Sequence, residues 1–102
     1  MTIKQHDTQP PFSATLTDNG QVVDLSTATT VKVIGALNGV PSFTRTVTGT
    51  SLGVVVMPWQ PTDTAVPGVL KLECEVDWPG LSSVQTFPAS GYLYVSIEPD
   101  LG

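Results

Sequence analysis

The chain predicts an all-β fold: an immunoglobulin-like antiparallel β-sandwich of seven to nine short strands, forming one domain over residues 1–102. Three observations carry this. The sequence holds 14 Val and 14 Thr, β-branched residues that suit a pleated, half-buried surface. It holds 9 Gly and 9 Pro, which punctuate it at intervals of about 8–12 residues, the spacing of a many-stranded sandwich. Between those breaks the apolar residues alternate with a period of two, or run for a few residues only, and both patterns are those of strands.

Taken in order, residues 1–11 (MTIKQHDTQPP) read as a possible N-terminal arm. FSATLTD (12–18) alternates Phe12, Ala14 and Leu16 against Ser13, Thr15 and Thr17, and Asn19-Gly20 then turns the chain into QVVDL (21–25). VKVIGAL (31–37) and PSFTRTVT (41–48) form a second hairpin across Asn38-Gly39, with Phe43, Arg45 and Val47 inward and Thr44, Thr46 and Thr48 outward. SLGVVVM (51–57) is a short apolar run and reads as a buried strand. VLKLECEVDW (69–78) places Leu70, Leu72, Cys74, Val76 and Trp78 on one face and Lys71, Glu73, Glu75 and Asp77 on the other. Pro79-Gly80 turns the chain into SSVQTF (82–87), and GYLYVSIE (91–98) is the last strand.

The stretch WQPTDTAVPG (59–68) poses a choice between a ligand-binding loop and a sharp corner between two sheets. Turn chemistry favours the corner. Pro58 and Pro61 offer no N–H to a ladder. Thr62, Asp63 and Thr64 carry short polar side chains that satisfy nearby backbone groups. Pro67-Gly68 suits a type II-like turn, and Trp59 is placed to cap the end of the core.

Charge and cysteine content narrow the partners. The net charge is −5 with only 4 Lys+Arg, so neither a nucleic-acid backbone nor an anionic membrane surface is an expected partner. The first residues have no apolar core of a secretory signal. Cys74 is the lone cysteine, so neither an internal disulfide nor a cysteine metal cluster is expected, and its inner-face position suits a buried apolar thiol. No cofactor, metal or catalytic site is expected. His6 and Asp7 are adjacent, and adjacent residues of an extended strand point to opposite faces, which makes a poor dyad.

The candidate interface residues lie at three places. Glu73, Glu75 and Asp77 form an acidic row along one strand face; a solvated face, a docking surface and a metal site are the readings in descending order. Lys71 stands at the end of the row, within reach of Glu73. Tyr92 and Tyr94 oppose the register of Leu93, Val95 and Ile97 and are expected on the surface, where aromatic residues mark contacts. Ile3 and Lys4 are the candidate contacts of the N-terminal arm.

The stretches IKQHDTQPP (3–11), ATLTDNG (14–20), VDL (23–25), WQPTDTAVPG (59–68), ECEVDWPG (73–80), TFPASGY (86–92) and VSIEPDL (95–101), taken in this order, resemble the N-terminal domain family of the tailed-phage baseplate upper protein. The resemblance covers nearly the whole chain. It implies an immunoglobulin-like virion domain that anchors a receptor-binding or fibre-bearing protein to the particle. Two features depart from the family: Leu70 stands where relatives carry a corner tyrosine, and the sequence stops at Leu101-Gly102, where a relative continues into a linker. The resulting expectation is a non-enzymatic phage structural protein, multimeric within an assembly. It would be an adaptor or attachment module of the tail or baseplate, located in the virion and assembled in the host cytoplasm. Its partners would be other phage structural proteins. A capsid decoration protein on the head lattice is the first alternative, and a carbohydrate-binding β-sandwich with Trp59 and the tyrosines as platform is the second.

Overall fold

The computed structural model describes residues 1–80 and 83–101. They form ten strands and no helix: β1 (Thr2–Lys4), β2 (Phe12–Thr15), β3 (Thr17–Asp18), β4 (Gln21–Val22), β5 (Thr30–Leu37), β6 (Val40–Val47), β7 (Val54–Met57), β8 (Gly68–Asp77), β9 (Val84–Phe87) and β10 (Leu93–Glu98). A main sheet runs in the order β1-β10-β8-β5-β6, with β9 also pairing β8. Two small sheets, β2-β7 and β3-β4, complete the fold. The inward side chains of β2 and β7 (Phe12, Val55, Met57) join those of the main sheet (Val33, Leu70, Leu72, Cys74, Val76, Val95, Ile97) in one core, which gives a sandwich-like layering.

The strongest sequence signals appear as expected. Both hairpins turn through two residues with positive φ, Asn19 and Gly20 at 50° and 78°, and Asn38 and Gly39 at 49° and 83°. Those values match the primed turns that follow the natural twist of a hairpin. β8 alternates without a fault, and Leu70, Leu72, Cys74 and Val76 are wholly buried. Leu70 is thus a plain core residue.

Five details differ from expectation. The strand expected at 12–18 breaks at Leu16, which turns inward, and its N–H bonds the carbonyl of Gly53 at 2.8 Å. Gly53 has φ of 77°, and a Cβ there would lie 2.8 Å from the carbonyl oxygen of Leu16, so only glycine allows this close approach. The strand expected at 21–25 is only Gln21–Val22. The run at 51–57 is not buried throughout: Val55 and Met57 point in, while Val56 is 44% exposed. Of the strand expected at 82–87, Ser82 lies outside the described residues and the ladder begins at Val84. Trp78, placed on the core face from its register, is only partly buried and donates its indole N–H to Gln85 Oε1 at 3.1 Å.

The sandwich is not antiparallel throughout. β1 pairs β10 in parallel, with Thr2, Ile3 and Lys4 opposite Ser96, Ile97 and Glu98. The start of the chain is therefore not a loose arm. Ile3 is 3% exposed, the Gln5 N–H reaches the Glu98 carbonyl at 2.8 Å, and the His6 N–H reaches the Thr64 carbonyl at 3.0 Å. Polar backbone at a sheet edge gains partners this way, and the single apolar side chain of the segment gains a place in the core.

Ile3→Ala is expected to lower stability by about 2–4 kcal/mol, the usual cost of truncating a buried branched side chain. The shift of the urea midpoint measures it; an unchanged midpoint would show that β1 adds nothing to the fold.

Candidate functional site

The stretch 59–68 is a corner, and its interior is built from charge as well as apolar surface. It carries the chain from β7 in a small sheet to β8 in the main one. Trp59 is 4% exposed and lies edge-on to Phe12 and Phe43, with ring centroids at 6.1 and 6.5 Å. Asp63 is also buried. Its carboxylate accepts the Gln60 N–H at 2.8 Å, while the Asp63 N–H returns to the Gln60 carbonyl at 2.9 Å, which closes one tight turn. The same carboxylate receives both terminal nitrogens of Arg45, Nη1 at 2.5 Å and Nη2 at 3.1 Å. This paired geometry is the strong form of a charge-assisted hydrogen bond. The hydrogen bonds to Asp63 and its negative charge hold the Arg45 guanidinium above its ordinary pKa, and the guanidinium also stands 5.1 Å over the Phe43 ring.

Thr64 is fully buried, and its hydroxyl donates to the Asp7 carbonyl at 2.9 Å. Pro61 lies exposed on the outside of the turn and Pro67 is half-buried at its end. Gly68 has positive φ, as expected, but at 148° it is the first residue of β8 rather than the centre of a type II turn. The Asn38 side chain occupies the place of a Cβ at Gly68, and its Oδ1 accepts the Val69 N–H at 3.2 Å.

Sequence reasoning placed Arg45 inward and Asp63 in the corner but did not join them. The signal was present: Arg45 is the one charged residue between Lys32 and Asp63, and it sits on the face of Phe43 and Val47. A half-buried guanidinium on the core side calls for a carboxylate, and Asp63 is the nearest acid along the chain. Trp59 Nε1 has no hydrogen-bond partner among the described residues, and burying such a donor costs about 1–3 kcal/mol. The burial of Trp59 also removes it as a platform for stacking a sugar.

The exposed candidates gather on the outer face of the main sheet. Tyr94 lies opposite Lys71, Lys71 opposite Ala36, Glu73 opposite Ile34, Glu75 opposite Lys32, and Asp77 opposite Thr30. Tyr92 and Tyr94 are 45% and 55% exposed, and their rings meet edge to face at 6.4 Å. Lys71 lies with its ammonium 5.1 Å over the Tyr92 ring and is not paired with Glu73. A shallow open groove of about 340 Å³ runs beside them, lined by Ile34, Gly35, Ala36, Gly39, Lys71, Glu73 and Tyr92.

The acidic row is not uniform. Asp77 accepts the Thr30 hydroxyl at 2.5 Å and has Lys32 Nζ at 3.9 Å, whereas Glu73 and Glu75 face outward, half-buried. Among the described residues no group of three or more His, Cys, Asp or Glu is placed to hold a metal ion, and no helix is long and apolar enough to cross a membrane.

The remaining candidates separate. Ile3, expected at an interface, belongs to the core, because β1 is a strand of the main sheet; Lys4 is exposed, with Nζ 3.5 Å from the Pro99 carbonyl. His6 does not face Asp7: its Nδ1 lies 3.8 Å from Asp100 Oδ2. Cys74 is buried, and burial pushes its thiol up to about 11.

Two outcomes follow. In a double-mutant cycle of Arg45→Ala and Asp63→Ala, the pair should couple by at least about 1 kcal/mol in denaturant unfolding; additive losses would mean the fork does not act as a unit. Cys74 should react with a thiol reagent at pH 8 at least about a hundredfold more slowly in the folded than in the unfolded chain. The folded thiol keeps its proton to higher pH than the unfolded one, so its contribution to stability is full below the ordinary value of 9.0 and declines toward pH 11.

Comparisons with protein-family models, with curated proteins and with solved structures return no match.

Proposed function

We propose that the protein is a non-enzymatic structural component of a tailed-phage virion: an immunoglobulin-like adaptor or attachment module of the tail or baseplate. It works by protein–protein contact, and its partners are other virion proteins. The observation that carries the reading is the ordered series of stretches resembling the baseplate upper protein N-terminal domain family. Their placement supports it. Three of them, 3–11, 59–68 and 95–101, are far apart in sequence and lie against one another. Gln5 bonds both the Glu98 carbonyl and, through Nε2 at 2.7 Å, the Ala65 carbonyl, and His6 stands beside Asp100. Residues that hold one junction together are those a family would share if the junction is its architectural core. The packed layers of short strands support the immunoglobulin-like aspect of the reading.

The surface offered to the partner is the outer face of the main sheet around Tyr92, Tyr94 and Lys71, with the acidic residues Glu73 and Glu75 beside it. It combines exposed aromatic area, which supplies contact energy, with charge, which supplies selectivity.

Immunogold labelling of purified particles with antibody to this chain tests the proposal. Label on the tail or its tip is the expected result. Label over the head would replace the adaptor with a decoration protein. No label on any particle would overturn the virion reading and leave a glycan-binding role for the tyrosine groove. The double substitution Tyr92→Ala/Tyr94→Ala should leave the unfolding midpoint nearly unchanged and lower incorporation into particles at least about tenfold; undiminished incorporation would clear this face of the role.

A further inference from the structure

The main sheet ends in three edge strands. β1 and β9 stand on one side, with three and four residues, and β6 stands alone on the other, with eight. An edge strand presents unpaired N–H and C=O groups, and proteins blunt such edges by short length, outward charge, proline or a bulge. β1 and β9 are short. β6 has Pro41 as its second residue and a bulge at Ser42, which has no partner on β5 between Phe43 opposite Gly35 and Pro41 opposite Ala36. From Phe43 to Val47 there is no proline, no bulge and no outward charge. The one charge there, Arg45, points inward, which is itself a way of guarding an edge, but Asp63 of the same chain already neutralises it. The outward side chains are Ser42, Thr44 and Thr46, all exposed. Among the described residues, no backbone hydrogen bond joins 42–47 to any segment beyond β5.

The distribution of charge singles out the same edge. The chain carries −5, yet residues 33–62 hold only Arg45. Every carboxylate except Asp63 belongs to the first 24 residues or to β8 and beyond. Two copies of an acidic domain repel over most of their surface. They approach at least cost where charge is absent, and charge depletion is the compositional mark of an interface centre.

We propose that β6 is a self-association edge, on which two copies of this chain pair β6 with β6, antiparallel, across a two-fold axis and join their main sheets into one. The sequence of the strand suits its own copy. A register centred on Thr44 sets threonine against threonine and Ser42 against Thr46. It sets Phe43 against Arg45 of the partner subunit, which repeats between copies the cation–ring contact already present within one. A register centred on Arg45 would oppose two guanidinium groups and is disfavoured. A two-fold pairing uses up both edges and closes at two copies. The proposal is independent of the virion reading, and either can fail alone.

Sedimentation velocity on the full chain, up to about 1 mM protein, provides the test. The expected result is a concentration-dependent rise from 10.7 kDa to twice that mass. Thr44→Lys, which points two ammonium groups at each other without touching the core, should weaken association at least tenfold. Thr15→Lys, a like change at an exposed site on β2, should not. Amide exchange on the wild-type chain gives a reading that does not rely on any variant folding: amides of residues 42–47 should gain protection as the dimer forms. A wild-type chain that stays monomeric throughout overturns the proposal. So does a mass that grows past two copies, an equal response to the two lysine substitutions, or a dimer with no added protection at 42–47.

Discussion

Beside the main sheet, two small sheets with strands of only two to four residues offer little apolar area with which to fix the angle between layers. Here the connection itself is made rigid. The carboxylate of Asp63 binds the backbone of its own turn and the guanidinium of Arg45 together, so the turn cannot relax without breaking the ion pair. Arg45 lies along Phe43, Phe43 meets Trp59, and Trp59 meets Phe12 of the small sheet. One chain of contacts thus runs from the edge of the main sheet through the corner to the opposite layer. An ion pair of this burial adds little net stability over an apolar substitute, since both charges lose water. Its contribution is direction: the fork geometry accepts one arrangement of the corner, whereas apolar packing would tolerate several.

The same constraint shapes what the surface can offer. Because the corner is filled from within, its tryptophan is closed to a ligand, and the chemistry left outside is that of a sheet face and its edges. On that face the tyrosines and Lys71 form a cluster held by ring–ring and cation–ring contacts, so its exposed side chains lose less freedom on meeting a partner than isolated ones would. On the main sheet the carboxylates lie on β8 and β10, whereas the exposed row of β6 is Ser42, Thr44 and Thr46.

How much of this was legible in the sequence depended on how local the cause was. Both Asn-Gly turns were readable because the requirement for positive φ falls on those two residues themselves. The alternation of β8 was readable because every second side chain meets the same core. The exposed Tyr92 and Tyr94 followed from the same parity. β1 was not readable, since a strand of three residues with one apolar side chain has no period, and its pairing partner lies at the other end of the chain. The break at Leu16 was hidden because the alternation continues through it while the backbone changes partner. Val56 was misplaced because a run of three valines conceals which of them faces out. The Arg45–Asp63 fork joins positions 18 residues apart, and only the folded chain shows that they meet.

The parallel pairing of β1 with β10 has a mechanical meaning. The chain enters β1 at Met1, beside the middle of β10, and leaves β10 at Glu98, beside Lys4. Tension applied between residue 1 and residue 101 therefore pulls the two strands past each other along their length. The hydrogen bonds of that ladder share the load and must yield together, whereas in a hairpin pulled from its open end each would break in turn. The junction of the two termini is thus a shear clamp, oriented to resist a pull along the axis of the last strand.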